Sequence, residues 1–321
     1  MQETAAPPMI EVRDLTKYYG DFPAIEGISF TVNKGEVLGF LGPNAAGKTT
    51  TMRILTGFMP PTSGSASIAG YDVVDDSLDA RRHIGYLPET VPLYTEMTVE
   101  DYLDFMGAIR GMSRRQRRLR VSEVIGICHL EEYQSSLIGK LSKGFRQRVG
   151  IAQAILHEPD VLILDEPTIG IDPIQVVETR NLIKSFGGEH TVILSTHILP
   201  EVSMVCERVI IIHEGRVVAI DRPGNLSERL RGTERIEMDI RGPVAQVMTA
   251  LRNIRGVREV TRTGSGDVVS YNVESVHGAD LREQIATLVA QKGWGLLRLQ
   301  PVYMSLEDIF LRLTAKEADQ P

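Results

Sequence analysis

Nine consecutive residues, Gly42-Pro43-Asn44-Ala45-Ala46-Gly47-Lys48-Thr49-Thr50, carry the spacing G-x-x-x-x-G-K-T. That spacing suits a turn whose backbone N–H groups converge on phosphate oxygens, with a lysine reaching the outer phosphates and a hydroxyl left for Mg²⁺. Lys48 and Thr49 hold those two positions. A second cluster lies downstream, where the apolar run Val161–Leu164 ends in Asp165 and Glu166. A run that is apolar at every position reads as a strand buried on both faces, so its end is a rigid platform. Asp165 there can orient Mg²⁺ and its waters, and Glu166 can polarise a water attacking a γ-phosphate. Between the two clusters, the segment LSKGFRQR, residues 141–148, sets Ser142 as N-cap of a helix over Phe145–Leu156, with Gly144 beside it. A capped helix start of this kind is a second place to hold an anion.

These groups need elements to position them. Strand-like runs recur at Ile10–Asp14, Ile28–Val32, Glu36–Leu41, Ser67–Ile68, His83–Leu87, Val161–Leu164, Thr191–Ser195, Arg208–His213 and Arg216–Ile220. Helical patterns alternate with the later ones, and a helix over Thr49–Phe58 follows the glycine-rich turn. The alternation predicts an α/β domain with a mainly parallel sheet and a β-rich N-terminal edge. Between about Thr98 and Leu156 no strand pattern occurs, while Thr98–Asp101 and Ser113–Gln116 read as capping boxes, so a helical subdomain is expected over about residues 90–157. After a turn-rich hinge at Asp221–Asn225 and a short helix near Leu226–Arg231, the pattern changes. It reads strand Arg235–Ile240, helix Val244–Ile254, strands Val257–Thr263 and Val268–Glu274, helix Ala279–Lys292, strand Gly295–Gln300 and a final helix Ser305–Leu313. That βαββαβ order predicts a small ferredoxin-like α+β domain, read as a regulatory or docking module. The expected divisions are a disordered lead-in at 1–8, a nucleotide-binding domain at 9–222 and an accessory domain at 223–321.

Composition narrows the function. The 321 residues carry a formal net charge of −7, against the basic excess of a general nucleic-acid binder, so no nucleic-acid partner is expected. Cys128 and Cys206 are the only two cysteines, in no metal or redox spacing. No apolar stretch approaches the ~20 residues that span a bilayer, so a membrane role would require a partner that supplies the membrane part. Arg114–Arg120 is the densest basic run and reads as a solvated helix face offset by Glu96, Glu100, Asp101 and Asp104. His83 and His129 have no evident partner, and Trp294 reads as a packing residue.

Taken in order, the motifs over roughly residues 9–220 resemble the ATP-binding subunit of ABC transporters. The resemblance implies a P-loop NTPase of ABC type, with ATP and Mg²⁺ as cofactors. Tyr19 matches the aromatic that stacks on adenine; Gly42, Pro43, Asn44, Ala45, Ala46, Gly47, Lys48, Thr49 and Thr50 match the Walker A loop. Glu89 stands where the family usually has a glutamine, and with Thr49 and Asp165 is implied to bind Mg²⁺. Ser142 and Gly144 match the signature motif, Asp165 and Glu166 the Walker B pair, Asp172 the D-loop and His197 the switch histidine. Lys48, Glu166 and His197 are thereby implied to be catalytic. Ala45 departs from the family's glycine, and Lys143 and Phe145 from its small residue and glutamine. The outer glycines should preserve the turn, while Phe145 should lose a polar contact to the ribose. The patterns YLPE and LSKGFRQR, with the tail Met304–Leu313, are similar to a bacterial subgroup associated with ABC-2-type exporters, including gliding-motility systems.

The resemblance implies a head-to-tail dimer, with a second copy or a homologous ATPase subunit, closing around two ATP molecules. It also implies an integral membrane permease as partner, docked near Glu89–Tyr94, and a location on the cytoplasmic face of the membrane. The rival reading is a soluble ABC ATPase acting on ribosomes or DNA. A single set of motifs and no sustained heptads argue against it.

Overall fold

β-Branched and aromatic runs broken by Gly, Asn and Asp become strands here, and capped runs with an apolar face become helices. The computed structural model describes residues 7–225, 233–264, 266–276 and 280–302. The chain divides into two compact units, Met1–Pro223 and Gly224–Pro321.

The first unit opens with β1 (Ile10–Tyr19), β2 (Phe22–Val32), β3 (Val37–Leu41), α1 (Lys48–Leu55), β4 (Ser63–Ile68), β5 (Tyr71–Asp72), α2 (Ser77–Arg82) and β6 (Ile84–Leu87). It continues through α3 (Val99–Ile109), α4 (Arg114–Ile127), α5 (Lys143–Ile155), β7 (Val161–Asp165) and α6 (Pro173–Ser185). It closes with β8 (Thr191–Thr196), α7 (Leu199–Val205), β9 (Arg208–His213) and β10 (Arg216–Asp221). An antiparallel sheet runs β2-β1-β4-β5, and a six-stranded sheet runs β10-β9-β3-β8-β7-β6. In the larger sheet all pairs are parallel except the edge pair β10–β9. Every residue of β3 and β7 is buried, which is why both read as unbroken apolar runs.

The sheet order carries the functional consequence. β3, β8 and β7 are neighbours, with Leu41 opposite Thr196 and Asp165 opposite Ser195. The chain therefore leaves the C-terminal ends of three adjacent parallel strands at one edge, where α/β folds gather their ligands.

The hairpin strands β1 and β2 are longer than their sequence patterns suggest. Register shifts follow Val12, Leu15 and Lys17, and Asp14 takes a left-handed φ of 47°. Such bulges break the alternation of apolar and polar residues by which a strand is recognised. The two-residue β5 was not expected. Between β6 and β7 the described chain is helical apart from loops and turns. Ser113 and Gln116 form a complete capping box on α4. At Thr98 the box is half-made: the hydroxyl accepts Asp101 N–H, while Asp101 bonds the hydroxyl and not the backbone.

The second unit comprises β11 (Thr233–Arg241), α8 (Val244–Arg252), β12 (Val257–Thr263), β13 (Val268–Val276), α9 (Arg282–Gln291) and β14 (Gly295–Val302). Its sheet, ordered β12-β13-β11-β14, is antiparallel throughout, giving the ferredoxin-like βαββαβ arrangement. Ile236, Met238 and Ile240 alternate along β11 and pack in one core with Val247, Leu251, Ile285 and Val289; Trp294 lies against that core. The helices expected near Leu226–Arg231 and over Ser305–Leu313 fall outside the described residues.

Candidate functional site

β3 hands the chain to α1 through the glycine-rich turn. Gly47 sits at φ +104°, and a Cβ there would lie 2.6 Å from the Ala24 carbonyl oxygen, so no side chain fits. Ala45 also takes a left-handed φ, +64°. For an alanine that conformation costs about 1 kcal/mol, which accounts for the preference for glycine at this point of the loop. The turn forms all the same, with Ala46 N–H donating to the Pro43 carbonyl at 3.3 Å. α1 has no side-chain cap and no acid in its first turn. Its leading N–H groups and the positive end of its dipole are thus left for an anion.

Lys48 is buried, and its ammonium donates to the carbonyl oxygens of Gly42 at 2.7 Å and Pro43 at 3.1 Å. It also lies 3.3 Å from Glu166 Oε1. The other oxygen of Glu166 meets His197 Nδ1 at 2.9 Å. Lys48, more than a hundred residues before the other two, thus forms one connected line with Glu166 and His197. Glu166 adopts a left-handed φ of 49° just past β7, so the backbone swings its carboxylate off the strand axis. Its N–H is anchored to Ser195, through the carbonyl and the hydroxyl, both at 3.1 Å.

Asp165 is fully buried. Its Oδ1 accepts from the Ser195 hydroxyl, while Oδ2 has no hydrogen-bond partner. A buried carboxylate oxygen left unpaired is costly unless a ligand completes it. Tyr86 is nearby on β6: burial, reinforced by the Asp165 charge, pushes its hydroxyl up to about 12, with Arg53 opposing and Glu89 adding to the rise. The phenol therefore stays a hydrogen-bond donor. Glu89 itself is exposed and makes no hydrogen bond or ion pair among the described residues. Thr49 is half-buried in the first turn of α1.

The remaining expected residues lie elsewhere in the unit. Tyr19 is half exposed at the end of the β1–β2 hairpin; its hydroxyl touches Met59 Sδ at 3.1 Å and Lys17 Nζ lies 5.9 Å from its ring centre. The Ser142 hydroxyl caps α5 by accepting Phe145 N–H at 3.3 Å. Gly144 is buried beneath the Gln175 side-chain oxygen, and a Cβ there would require the Gln175 side chain to move. Asp172 caps α6, accepting Gln175 N–H at 3.0 Å. Phe145, judged from sequence only by the contact it forgoes, packs on Tyr133 with ring centres 4.1 Å apart and lies under the Arg148 guanidinium. Among the described residues no hydrogen bond or ion pair joins Ser142 or Gly144 to Lys48, Glu166 or His197. His83 does have a partner, contrary to expectation: its Nδ1 bonds Asp160 at 2.5 Å and its ring stacks on Tyr71. In the basic run, Arg117 pairs with Asp104, whereas Arg120 pairs with Glu123 and Glu158, which were not among the expected acids.

Sequence reasoning missed Ser195, Thr196, Thr168 and Glu201. Thr168 and Thr196 both donate to Glu201 Oε2, at 2.8 and 3.1 Å. Hydroxyl residues at strand ends are too common to single out, and Glu201 belongs to no motif.

The chain is similar to known proteins in sequence and in fold. Residues 25–169 match the family model described as ABC transporter. The linearmycin resistance ATP-binding protein of Bacillus subtilis (strain 168) is 32% identical over 311 residues, 96% of this chain and 99% of that protein. The bacitracin transport ATP-binding protein of Bacillus licheniformis is 34% identical over 307 residues, 95% of this chain and 97% of that protein. Among solved structures, a dimeric ATP-binding cassette in a post-hydrolysis state bound to ADP and Pi superposes with a TM-score of 0.61. It is 26% identical and covers 67% of this chain and 99% of that one.

Proposed function

Since this chain belongs to the ABC transporter family, as an ATP-binding subunit that hydrolyses ATP, we propose that it drives an export permease through the line Lys48–Glu166–His197. The observation that carries this reading is the placement of Glu166 between a cation at 3.3 Å and an imidazole at 2.9 Å. Lys48 is paired with Glu166 in the structure. A γ-phosphate in the loop offers Lys48 a stronger anion, and the Glu166 carboxylate is then free to accept a proton from the attacking water. His197, 36% exposed, holds the far oxygen of that carboxylate and can turn its ring toward the phosphate. Mg²⁺ fits the residues present: Asp165 Oδ2 is an unpaired, buried hard oxygen ligand, and Thr49 offers a hydroxyl at the first turn of α1. When bound, the ion supplies positive charge to the phosphates and orients them. Tyr19 offers an aromatic face for adenine.

Among the described residues Ser142 and Gly144 make no hydrogen bond or ion pair to this line, and the proposal has a second subunit bring its signature motif to the γ-phosphate; the dimeric relative supports that geometry. No helix among the described residues is long and apolar enough to cross a membrane. The proposal takes a separate permease as partner and the cytoplasmic membrane face as the place of work, supported by the transport ATP-binding role named for the bacitracin relative. The relatives' resistance and transport roles favour export.

Glu166→Gln tests the reading. The variant should bind ATP with near-normal affinity and dimerise, yet hydrolyse it at least about a hundredfold more slowly. Normal turnover, measured as phosphate release, removes Glu166 from its role.

A further inference from the structure

Glu201, in the first turn of α7, belongs to none of the nucleotide-binding segments, yet it is only 6% exposed. One oxygen, Oε2, accepts from two buried hydroxyls, Thr168 at 2.8 Å and Thr196 at 3.1 Å. Their positions matter. Thr168 stands two residues after Glu166, and Thr196 immediately precedes His197. The Thr196 hydroxyl also accepts Ile198 N–H at 3.1 Å, which brackets His197 between two fixed points. The Thr196 carbonyl in turn accepts Gly42 N–H at 3.3 Å, tying the same residue to the phosphate loop. Among the described residues, Glu201 pairs with no Lys or Arg. An aliphatic side chain could fill this place without the penalty of desolvating a carboxylate. What the carboxylate adds is a single acceptor shared by two loops.

We infer that Glu201 is a positioning residue for hydrolysis. It clamps the segment leaving Glu166 to the segment entering His197, so that the carboxylate and the imidazole stay at hydrogen-bond distance as the nucleotide arrives. It touches neither nucleotide nor water. The inference rests on the reading that Glu166 and His197 act in hydrolysis. A clamp of this kind affects turnover and leaves nucleotide affinity alone, because Gly42 bonds the Thr196 backbone carbonyl and not its hydroxyl, and Lys48 is held by the Gly42 and Pro43 carbonyls.

The experiment uses the purified full-length chain and the variants Glu201→Ala, Glu201→Gln and Thr168→Val, with kcat from phosphate release, Kd for ATP by calorimetry, and thermal melting. Glu201→Ala should lower kcat by about tenfold or more while Kd stays within about twofold. Glu201→Gln keeps an acceptor oxygen and should recover most of the lost rate. Thr168→Val should lower kcat, and combining it with Glu201→Ala should add little, because both remove one link. Wild-type kcat in folded Glu201→Ala overturns the inference. So does a parallel fall in kcat and ATP affinity matching a loss of folded protein, or losses that multiply in the double variant. Glu166→Gln is measured alongside. If it too turns over normally, the reading of the site fails; if only the Glu201 variants do, the clamp alone fails.

Discussion

At β7 and β8, where every residue is buried, the chain encloses Asp165, Ser195 and Thr196, with Glu166 just beyond; along β11 and β13, where buried and partly exposed residues alternate, it buries Ile236, Met238, Ile240, Val269, Tyr271 and Val273. Among the described residues of the second unit, Ser275 is the sole buried polar residue of that kind, whereas the first unit also encloses Lys48, Arg148, Thr168 and Glu201. Each unit builds a core, and the second builds its own on one face of the sheet almost entirely from apolar side chains. Buried charge in the first unit therefore serves something other than stability, since a well-packed apolar substitute is often at least as stable. The pairing of Lys48 with Glu166, of Glu166 with His197 and of Ser195 with Asp165 is how the unit tolerates groups it keeps for chemistry. The unpaired Asp165 Oδ2 marks where that compensation is incomplete without a ligand.

The contrast can be broken most directly at Lys48. Lys48→Ala should cut ATP affinity by about a hundredfold or more, the cost of losing a desolvated charge contact. Calorimetry that finds unchanged affinity would mean that the buried charge serves packing after all. The matching test in the second unit is Ile240→Ala, which removes a fully buried side chain. It should destabilise that unit by about 2–5 kcal/mol in denaturant unfolding while ATP hydrolysis stays within about twofold. A large fall in hydrolysis would show that the aliphatic unit contributes to the site.

A third test sharpens the contrast through pH. Burial, helped by the Arg110 and Arg120 charges and opposed by the bond to the Ile84 carbonyl, lowers His157 from 6.5 to about 4. The folded chain thus holds His157 neutral. Its contribution to stability is complete above the unfolded value of 6.5 and is lost as pH falls toward 4, because the unfolded chain takes up the proton first. Urea midpoints should fall across that window, and His157→Gln should flatten the slope. A slope unchanged in the variant would reassign the acid sensitivity to the carboxylates. The smallest effect belongs to Ala45→Gly. Relief of the left-handed alanine, less the entropy cost of glycine in the unfolded chain, should raise stability by up to about 1 kcal/mol, read as a higher melting temperature. A lower one would mean that the Ala45 methyl is held by contacts that outweigh its backbone strain.

Motif spacing singled out Lys48, Asp165 and Glu166, and the family resemblance added His197; each follows a strand whose apolar run is visible, Lys48 through the glycine-rich turn, and sheet order brings those strand ends together. Ser142, Gly144 and Asp172 were equally visible, yet they reach one another's neighbourhood and not the Lys48 line. The bulged β1 was under-read because its apolar period slips. His83 looked partnerless because Asp160 lies 77 positions away in the chain.

What the sequence determines by itself is local: which turn only glycine can make, which run is apolar enough for the centre of a sheet, which residue caps a helix. Those features follow from backbone sterics and short-range hydrogen bonding, so residue types and their spacing are sufficient. Tertiary structure alone decided that one carboxylate oxygen of Glu166 meets Lys48 while the other meets His197, that Asp165 keeps a lone oxygen, and that Glu201 joins Thr168 to Thr196. Each depends on strand order and burial, which set distance and local dielectric between residues far apart in the chain, and no spacing along the chain encodes either.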